Sequence, residues 1–269
     1  QLCAELDKER RILEFFMQIA ELAQVQLVDT FSEMRLIDGY MMSTWGDDDI
    51  LPTIEDKEIA ANAGGLVLPP ADGIIPWVGV IDVKSLYPSS IITWNISPET
   101  VHWYDEVEPT EGEAYINIPW VPDSDEVEEM GRDLEESDVR FDKMWATLEE
   151  EGIIPRTLKT LFPLREELKQ KRDEHEPGTT EYIVYDQRQA AVKVIMNAMY
   201  GVTSLDYWRM AQYGLGDAIT SASRYVLHQG VVVSEEEGFV VAYGDTDSVL
   251  VQLANEDEEN WYRVLQIGH

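Results

Sequence analysis

The sequence predicts an α+β fold, with helices around an antiparallel sheet. Three observations predict it. Residues 238–253 hold two short apolar, β-branched runs around Gly244-Asp245, the pattern of a β-hairpin. Residues 77–81 are a further short apolar run that ends on Asp82, as a strand does. Two long segments, 155–174 and 180–200, carry apolar residues at helical spacing.

From the start of the chain, residues 4–24 place Leu6, Ile12, Leu13, Phe16, Ile19, Ala20 and Ala23 on one side of an amphipathic helix. Residues 29–45 read as a second helix, with Phe31, Met34, Ile37 and Met41 on one face. Residues 46–76 hold Gly, Pro and Asp with few periodic apolar positions, so they read as a crossing linker. The strand at 77–81 runs into a turn, and Pro88 suits the first turn of the helix that follows. Residues 105–151 are densely acidic, centred on Asp123-Ser124-Asp125-Glu126-Val127-Glu128-Glu129, and read as a solvated loop or insertion. Gly152 reads as the stop of a short helix and Pro155 as the start of the next. His175-Glu176-Pro177-Gly178 is a turn between the two long helices. Gly214-Leu215-Gly216 begins like a dinucleotide fingerprint, but Ile219 stands at the third glycine and no strand leads in, so that reading is set aside. Residues 256–266 read as a short helix.

The 269 residues are 44% hydrophobic, enough for a core. Net charge is −33, from 53 acidic and 20 basic residues. Such an excess opposes a polyanionic partner at low ionic strength. In molar salt the Debye length falls to about 3 Å and most of that repulsion is screened, so the composition suits a salt-loving source. Eight Trp and twelve Tyr argue against global disorder. Cys3 is the single cysteine, which excludes an internal disulfide and a cysteine-based metal site. No apolar run reaches membrane-spanning length and no signal peptide opens the chain. A soluble, cytoplasmic protein is expected, and the abrupt ends suggest a piece of something larger.

Three features carry chemistry. Asp245 and Asp247 are two residues apart, a spacing that puts both on one face of an extended strand. Paired carboxylates with oxygen-only donors suit a hard divalent cation such as Mg²⁺; a solvated turn is the plainer alternative. Asp82 ends a strand before a tight turn whose backbone N–H groups can hold phosphate oxygens; an ordinary capped turn is the alternative there. The long helices carry Arg165, Lys169, Arg188, Lys193 and Asn197, a basic region in an acidic chain. Lys193, Asn197 and Tyr200 share a helical face. That local sign favours an anionic ligand; pairing with the helices' own acids is the alternative. Carboxylates that hold metal ions, together with a cationic clamp, suit phosphoryl transfer on a triphosphate.

These residues resemble three motifs of the family B DNA polymerases, in order. Asp82-Val83-Lys84-Ser85-Leu86-Tyr87-Pro88-Ser89 is similar to motif A. Arg188-Gln189-Ala190-Ala191-Val192-Lys193-Val194-Ile195-Met196-Asn197-Ala198-Met199-Tyr200-Gly201 is similar to motif B, and residues 243–248 to motif C. The resemblance is archaeal and halophile-like in flavour. It implies a polymerase palm with an antiparallel sheet and a two-helix fingers domain, preceded by helices of an exonuclease domain. The implied layout is 1–45 exonuclease helices, 46–76 linker, 77–154 first palm segment with the acidic insertion, 155–201 fingers and 202–269 second palm segment, with no thumb.

The implied activity is DNA-templated DNA synthesis with two Mg²⁺ ions. Asp82 and Asp247 would ligate both, Asp245 would be a weaker ligand, and the Val83 carbonyl would complete the set. Backbone N–H groups of Ser85, Leu86 and Tyr87 would touch the triphosphate, with Tyr87 also under the sugar as a gate against ribonucleotides. Arg165, Lys169 and Lys193 would hold the β- and γ-phosphates, Asn197 would lie along the nucleotide, and Tyr200 and Gly201 near the nascent base pair. Partners would be primer–template DNA and deoxynucleoside triphosphates, with a sliding clamp reached only through termini outside the chain, and no membrane. Two positions depart from the family: Ala198 stands where Ser is usual, and Asn62-Ala63-Gly64-Gly65 lacks the Tyr of a Tyr-x-Gly-Gly element. No exonuclease carboxylates are recognisable, and Asp7 does not fit their pattern. The competing reading is a catalytically incompetent piece that only binds DNA or a partner; a two-metal nuclease would leave the cationic helices unexplained.

Overall fold

A computed structural model describes residues 3, 5, 7, 11–45, 63–205 and 207–253. In chain order its elements are α1 (Ile12–Ala23), α2 (Glu33–Thr44), β1 (Val67–Leu68), β2 (Val78–Asp82), α3 (Leu86–Thr93), β3 (Val101–Trp103), β4 (Tyr115–Trp120) and α4 (Ser124–Met130). There follow β5 (Arg140–Thr147), α5 (Ile153–Asp173), α6 (Thr180–Thr203), α7 (Leu215–Glu236), β6 (Val240–Asp245) and β7 (Ser248–Gln252). Single 3-10 turns lie at Leu27–Phe31 and Glu136–Asp138. The chain divides into two compact units, Gln1–Ile59 with Glu151–Tyr213, and Ala60–Glu150 with Gly214–His269.

The first unit is helical and centres on α6. That helix buries Ala191, Val192, Ile195, Met196, Met199 and Val202, a spacing that fills one broad face. It packs against α5, α1 and α2. Thr179 caps it by accepting the Tyr182 N–H at 3.3 Å. In α5, Leu158, Leu161 and Leu168 are buried, the leucine spacing read from the sequence. The predicted helix over 4–24 is interrupted at Arg11, which has φ 51°. Asp7 explains the break, because its carboxylate accepts the Leu13 N–H at 2.8 Å and so competes with a continuous helix. The predicted helix over 29–45 is a 3-10 turn and then α2, separated by extended Ser32. Gly152 terminates no helix: it follows β5 and is the N-cap of α5.

The second unit holds two antiparallel sheets, of order β1-β6-β7-β2 and β3-β5-β4. α7 packs against β4, α3, β6 and β7. Leu66, Leu227, Phe239, Val249, Val251 and Leu253 form a buried cluster, with Val127 and Leu134 packed on it. Two expectations change here. The linker contains β1, whose Val67 and Leu68 pair with Asp245 and Gly244; three apolar residues were too short a run to show a period. The acidic stretch is no solvated loop, since it contains β4, α4 and all of β5. Its charges face outward, while Ile118, Met144, Trp145 and Ala146 are buried. The rest of the linker, 46–62, and the expected helix at 256–266 lie outside the described residues.

In the helical unit Asp38 of α2 accepts from Trp208 Nε1 at 3.1 Å and from Arg209 Nε at 2.9 Å. Trp208 is almost wholly buried, so an Asp38→Ala chain leaves its indole N–H without an acceptor. The expected loss is about 2 to 3 kcal/mol of unfolding free energy, read from the urea midpoint at unchanged slope.

Candidate active site

The site begins with sheet register. β2 runs antiparallel to β7 and pairs Asp82 with Ser248. β6 and β7 form the hairpin and pair Asp245 with the same Ser248. Directly opposed residues point to the same face, so Asp82 and Asp245 flank Ser248 on one side of the sheet. Two strand spacings put their backbones roughly 10 Å apart. Asp247 lies in the turn beside them. Its carbonyl accepts the Val83 N–H at 2.7 Å, which joins the end of β2 to the tip of the hairpin.

The turn differs from the one read in the sequence. Gly244 and Asp245 remain in β6, and the two turn residues are Thr246 and Asp247. Asp245 and Asp247 are therefore not alternate residues of one strand. Gly244 stays in the strand because β1 lies across it: a β-carbon there would stand 2.8 Å from Leu68 Cδ1. The left-handed residue is Thr246, with φ 53°. A bulge between Val241 and Tyr243 re-aims the end of β6.

The carboxylates have unequal surroundings. Asp245 accepts from Thr246 Oγ1 at 2.8 Å on one oxygen and from the Tyr243 hydroxyl at 3.2 Å on the other. Asp82 and Asp247 are exposed. The Asp247 carboxyl is nevertheless held above the usual range, first by partial burial and then by the negative charges of Asp82 and Asp245. Among the described residues no three His, Cys, Asp or Glu side chains are grouped to hold a metal ion by themselves. An all-oxygen pair of aspartates with a nearby carbonyl still fits Mg²⁺, which keeps several waters and takes only one or two carboxylates plus substrate phosphates.

α3 starts where β2 ends. Ser85 is its N-cap at φ 55°, with no side-chain cap, so the backbone donors of the first turn are not satisfied by that side chain. Leu86 is buried, Tyr87 half-buried, and Ser223 Oγ of α7 bonds Ser90 Oγ at 3.0 Å, which pins the helix.

The cationic residues belong to the helical unit. Lys193 and Asn197 are exposed on the face of α6 opposite its buried side, and Tyr200 is half-buried. Lys193 forms no ion pair among the described residues, whereas Lys169 pairs with Glu166 at 3.0 Å. Arg165 Nε is enclosed without an acceptor. Lys171 and Arg172 pair with Glu167 and Asp186, so part of the basic region does sit against its own acids. Arg188 donates to Gln18 of α1 at 3.0 Å. Gly201 faces Glu33, whose Oε2 would be 2.7 Å from an added β-carbon. Ala198 is buried, a place where a hydroxyl would need its own partner.

Sequence reasoning missed Thr246 and the β1 segment as supports of the carboxylates. The one signal for them was the glycine pair Gly64-Gly65 ahead of a short apolar run.

The raised Asp247 carboxyl has a consequence for stability. Between its unfolded and folded values the folded chain binds more protons, so metal-free stability falls as pH rises through that window. Asp247→Asn removes the loss. Its melting temperature in EDTA is expected to exceed that of the parent at pH 7, and added Mg²⁺ is expected to raise the parent alone.

A family model described as DNA polymerase family B matches residues 18–268. The chain is 32% identical over 232 residues to the DNA polymerase alpha catalytic subunit of Xenopus laevis, covering 84% of this chain and 14% of that protein. It is 28% identical over 218 residues to DNA polymerase 2 of Aeropyrum pernix, covering 81% and 24%. The solved structure of the family B DNA polymerase from the hyperthermophilic archaeon Pyrobaculum calidifontis matches with a TM-score of 0.69 at 25% identity, over 97% of this chain and 32% of that one. The chain thus spans 14% to 32% of the length of these three proteins. With the carboxylates gathered at adjoining strand ends of one sheet and a family match over nearly every residue, the chain belongs to DNA polymerase family B.

Proposed function

We propose that this chain supplies the metal-binding and triphosphate-binding residues of a DNA-templated DNA polymerase. The observation that carries the reading is the flanking of Ser248 by Asp82 and Asp245, with Asp247 bonded to Val83 at the end of the same ladder. Asp82, Asp247 and the Val83 carbonyl would hold two Mg²⁺ ions, with Asp245 as the weaker ligand. Mg²⁺, when bound, supplies charge neutralisation at the triphosphate and activation of a primer hydroxyl. The first turn of α3, at Ser85, Leu86 and Tyr87, is the proposed seat of phosphate oxygens. Tyr87 is the proposed plate under the sugar. Arg165, Lys169 and Lys193 are the proposed partners of the β- and γ-phosphates, as fixed cations suited to that role. Asn197 is assigned to the nucleotide, and Tyr200 and Gly201 to the nascent base pair.

In domain terms, the sheet unit supplies the palm and α5 with α6 the fingers, while α1 and α2 are exonuclease helices. Primer–template DNA is the proposed macromolecular partner. Among the described residues no helix is long and apolar enough to cross a membrane. The charge of −33 supports a protein adapted to molar salt, in which its surface and a DNA phosphate backbone repel each other little.

Asp247→Ala in the full-length protein is expected to lose primer extension with Mg²⁺ while primer–template binding persists in a gel shift. Extension at the parental rate would remove the carboxylates from the reaction. The salt adaptation has its own expected outcome. The melting temperature should climb steadily between 0.1 and 3 M KCl (test concentrations of about a Debye length of 10 Å down to below 3 Å), and a flat profile would refute it.

A further inference from the structure

The stretch from Gly64 to Leu68 lies along β6 and is fastened on both sides. On the hairpin side the Leu66 carbonyl accepts the Thr246 N–H at 3.0 Å. Gly65 packs directly on Thr246: a β-carbon there would be 2.9 Å from Oγ1 and 3.2 Å from Cγ2. That Oγ1 is the atom that donates to Asp245 at 2.8 Å. Gly65 therefore forms the surface that sets the threonine hydroxyl, and the hydroxyl sets the carboxylate.

On the far side the fastening is polar. Ser124, the first residue of α4, donates to the Gly65 carbonyl at 3.2 Å and accepts the Val67 N–H at 2.9 Å. Arg224 of α7 is 1% exposed. Its Nη1 donates to the Gly64 carbonyl at 2.8 Å, its Nε to the Val121 carbonyl at 2.9 Å, and its Nη2 reaches Asp217 at 3.4 Å. Ser221, one turn earlier, accepts the Val121 N–H at 2.7 Å. A guanidinium this deep is tolerated only when its donors are directed, and here two of the three acceptors are carbonyls flanking the same strand and helix start.

We infer that Gly64–Leu68 is a positioning strap for the Asp245 carboxylate, anchored by Arg224 and Ser124 and acting through Thr246. Each Asp245 oxygen receives one hydrogen bond, from Thr246 or Tyr243, which leaves a lone pair on each for a cation. The strap fixes where those lone pairs point. Arg224, Ser124, Gly65 and Thr246 are positioning residues, not catalytic ones. The inference rests on the proposed reading of Asp82, Asp245 and Asp247 as metal ligands.

The test measures Mn²⁺ binding to the full-length protein by electron paramagnetic resonance, without nucleotide and in molar KCl, where surface carboxylates compete little. Three variants report on the strap. Thr246→Val keeps a β-branched side chain at the left-handed position and removes only the hydroxyl. Gly65→Ala displaces that hydroxyl. Arg224→Lys keeps the charge and loses the fork. The expected result is Mn²⁺ affinity weakened about tenfold or more in each, with faster amide exchange at Thr246 in Gly65→Ala and Arg224→Lys. Thr246→Val and Gly65→Ala proteins that melt with the parent and bind Mn²⁺ with parental affinity overturn the strap. Should Arg224→Lys not fold, those two decide alone. Asp247→Ala in the same titration separates the two levels. Parental Mn²⁺ binding in that variant removes the metal reading and the strap with it, while loss there beside parental binding in Thr246→Val and Gly65→Ala removes the strap only.

Discussion

The hydrogen bond from the Val83 amide to the Asp247 carbonyl is the constraint on which the candidate site depends. It carries the β2–β7 ladder one step past Asp82 and holds a strand end against a hairpin tip that bears the same charge. Like charges brought together repel, and more strongly near a protein surface than in open water. The ladder opposes this with five register pairs from Val78 to Asp82 and with burial of Val249 and Val251 beneath them. Each fully buried valine contributes about 1.5 kcal/mol or more. The sheet therefore wins, and the acids stay together before any cation arrives.

The acidic surface is organised rather than merely tolerated. The segment that contains residues 123–129 places Val127 on the hairpin's own core and Ser124 on the strap. Its charges are settled locally: Arg132 takes Asp138 in a two-pronged pair and holds that carboxyl down to about 2, and Arg140 takes Asp142 likewise. Such exposed pairs contribute little stability one by one. Their effect is to keep basic side chains on the surface engaged, so that Lys193, in no ion pair among the described residues, and the enclosed Arg165 Nε stand out as donors in a chain with few cations.

How much of this was legible in the sequence follows from the range of each interaction. The hairpin, the strand into Asp82 and helices α5 and α6 are local patterns of eight residues or more, or short runs punctuated by Gly and Pro, and period alone finds them. β1 was hidden because two residues have no period; its identity as a strand comes from β6, nearly two hundred positions later. The second sheet was hidden by charge. In β5, Asp142 and Lys143 precede Met144, Trp145 and Ala146, and the density of acids around them outweighed the apolar run. The turn was misplaced by two residues because Gly244 looked like a turn glycine, while its lack of a side chain serves Leu68 across the strand. That Asp82 and Asp245 share a face across Ser248 is a property of register, which no single strand encodes.

The same local geometry accounts for an inequality that the motif alone does not explain. Asp245 and Asp247 are near neighbours with the same side chain, yet hydrogen bonds divide their roles. Thr246 and Tyr243 each donate to one oxygen of Asp245 from the protein side. Asp247 is partly buried and carries the field of Asp82 and Asp245. The residue that sets the two surroundings apart is Thr246, which donates to Asp245 and is held in its left-handed turn by the carbonyl of Leu66.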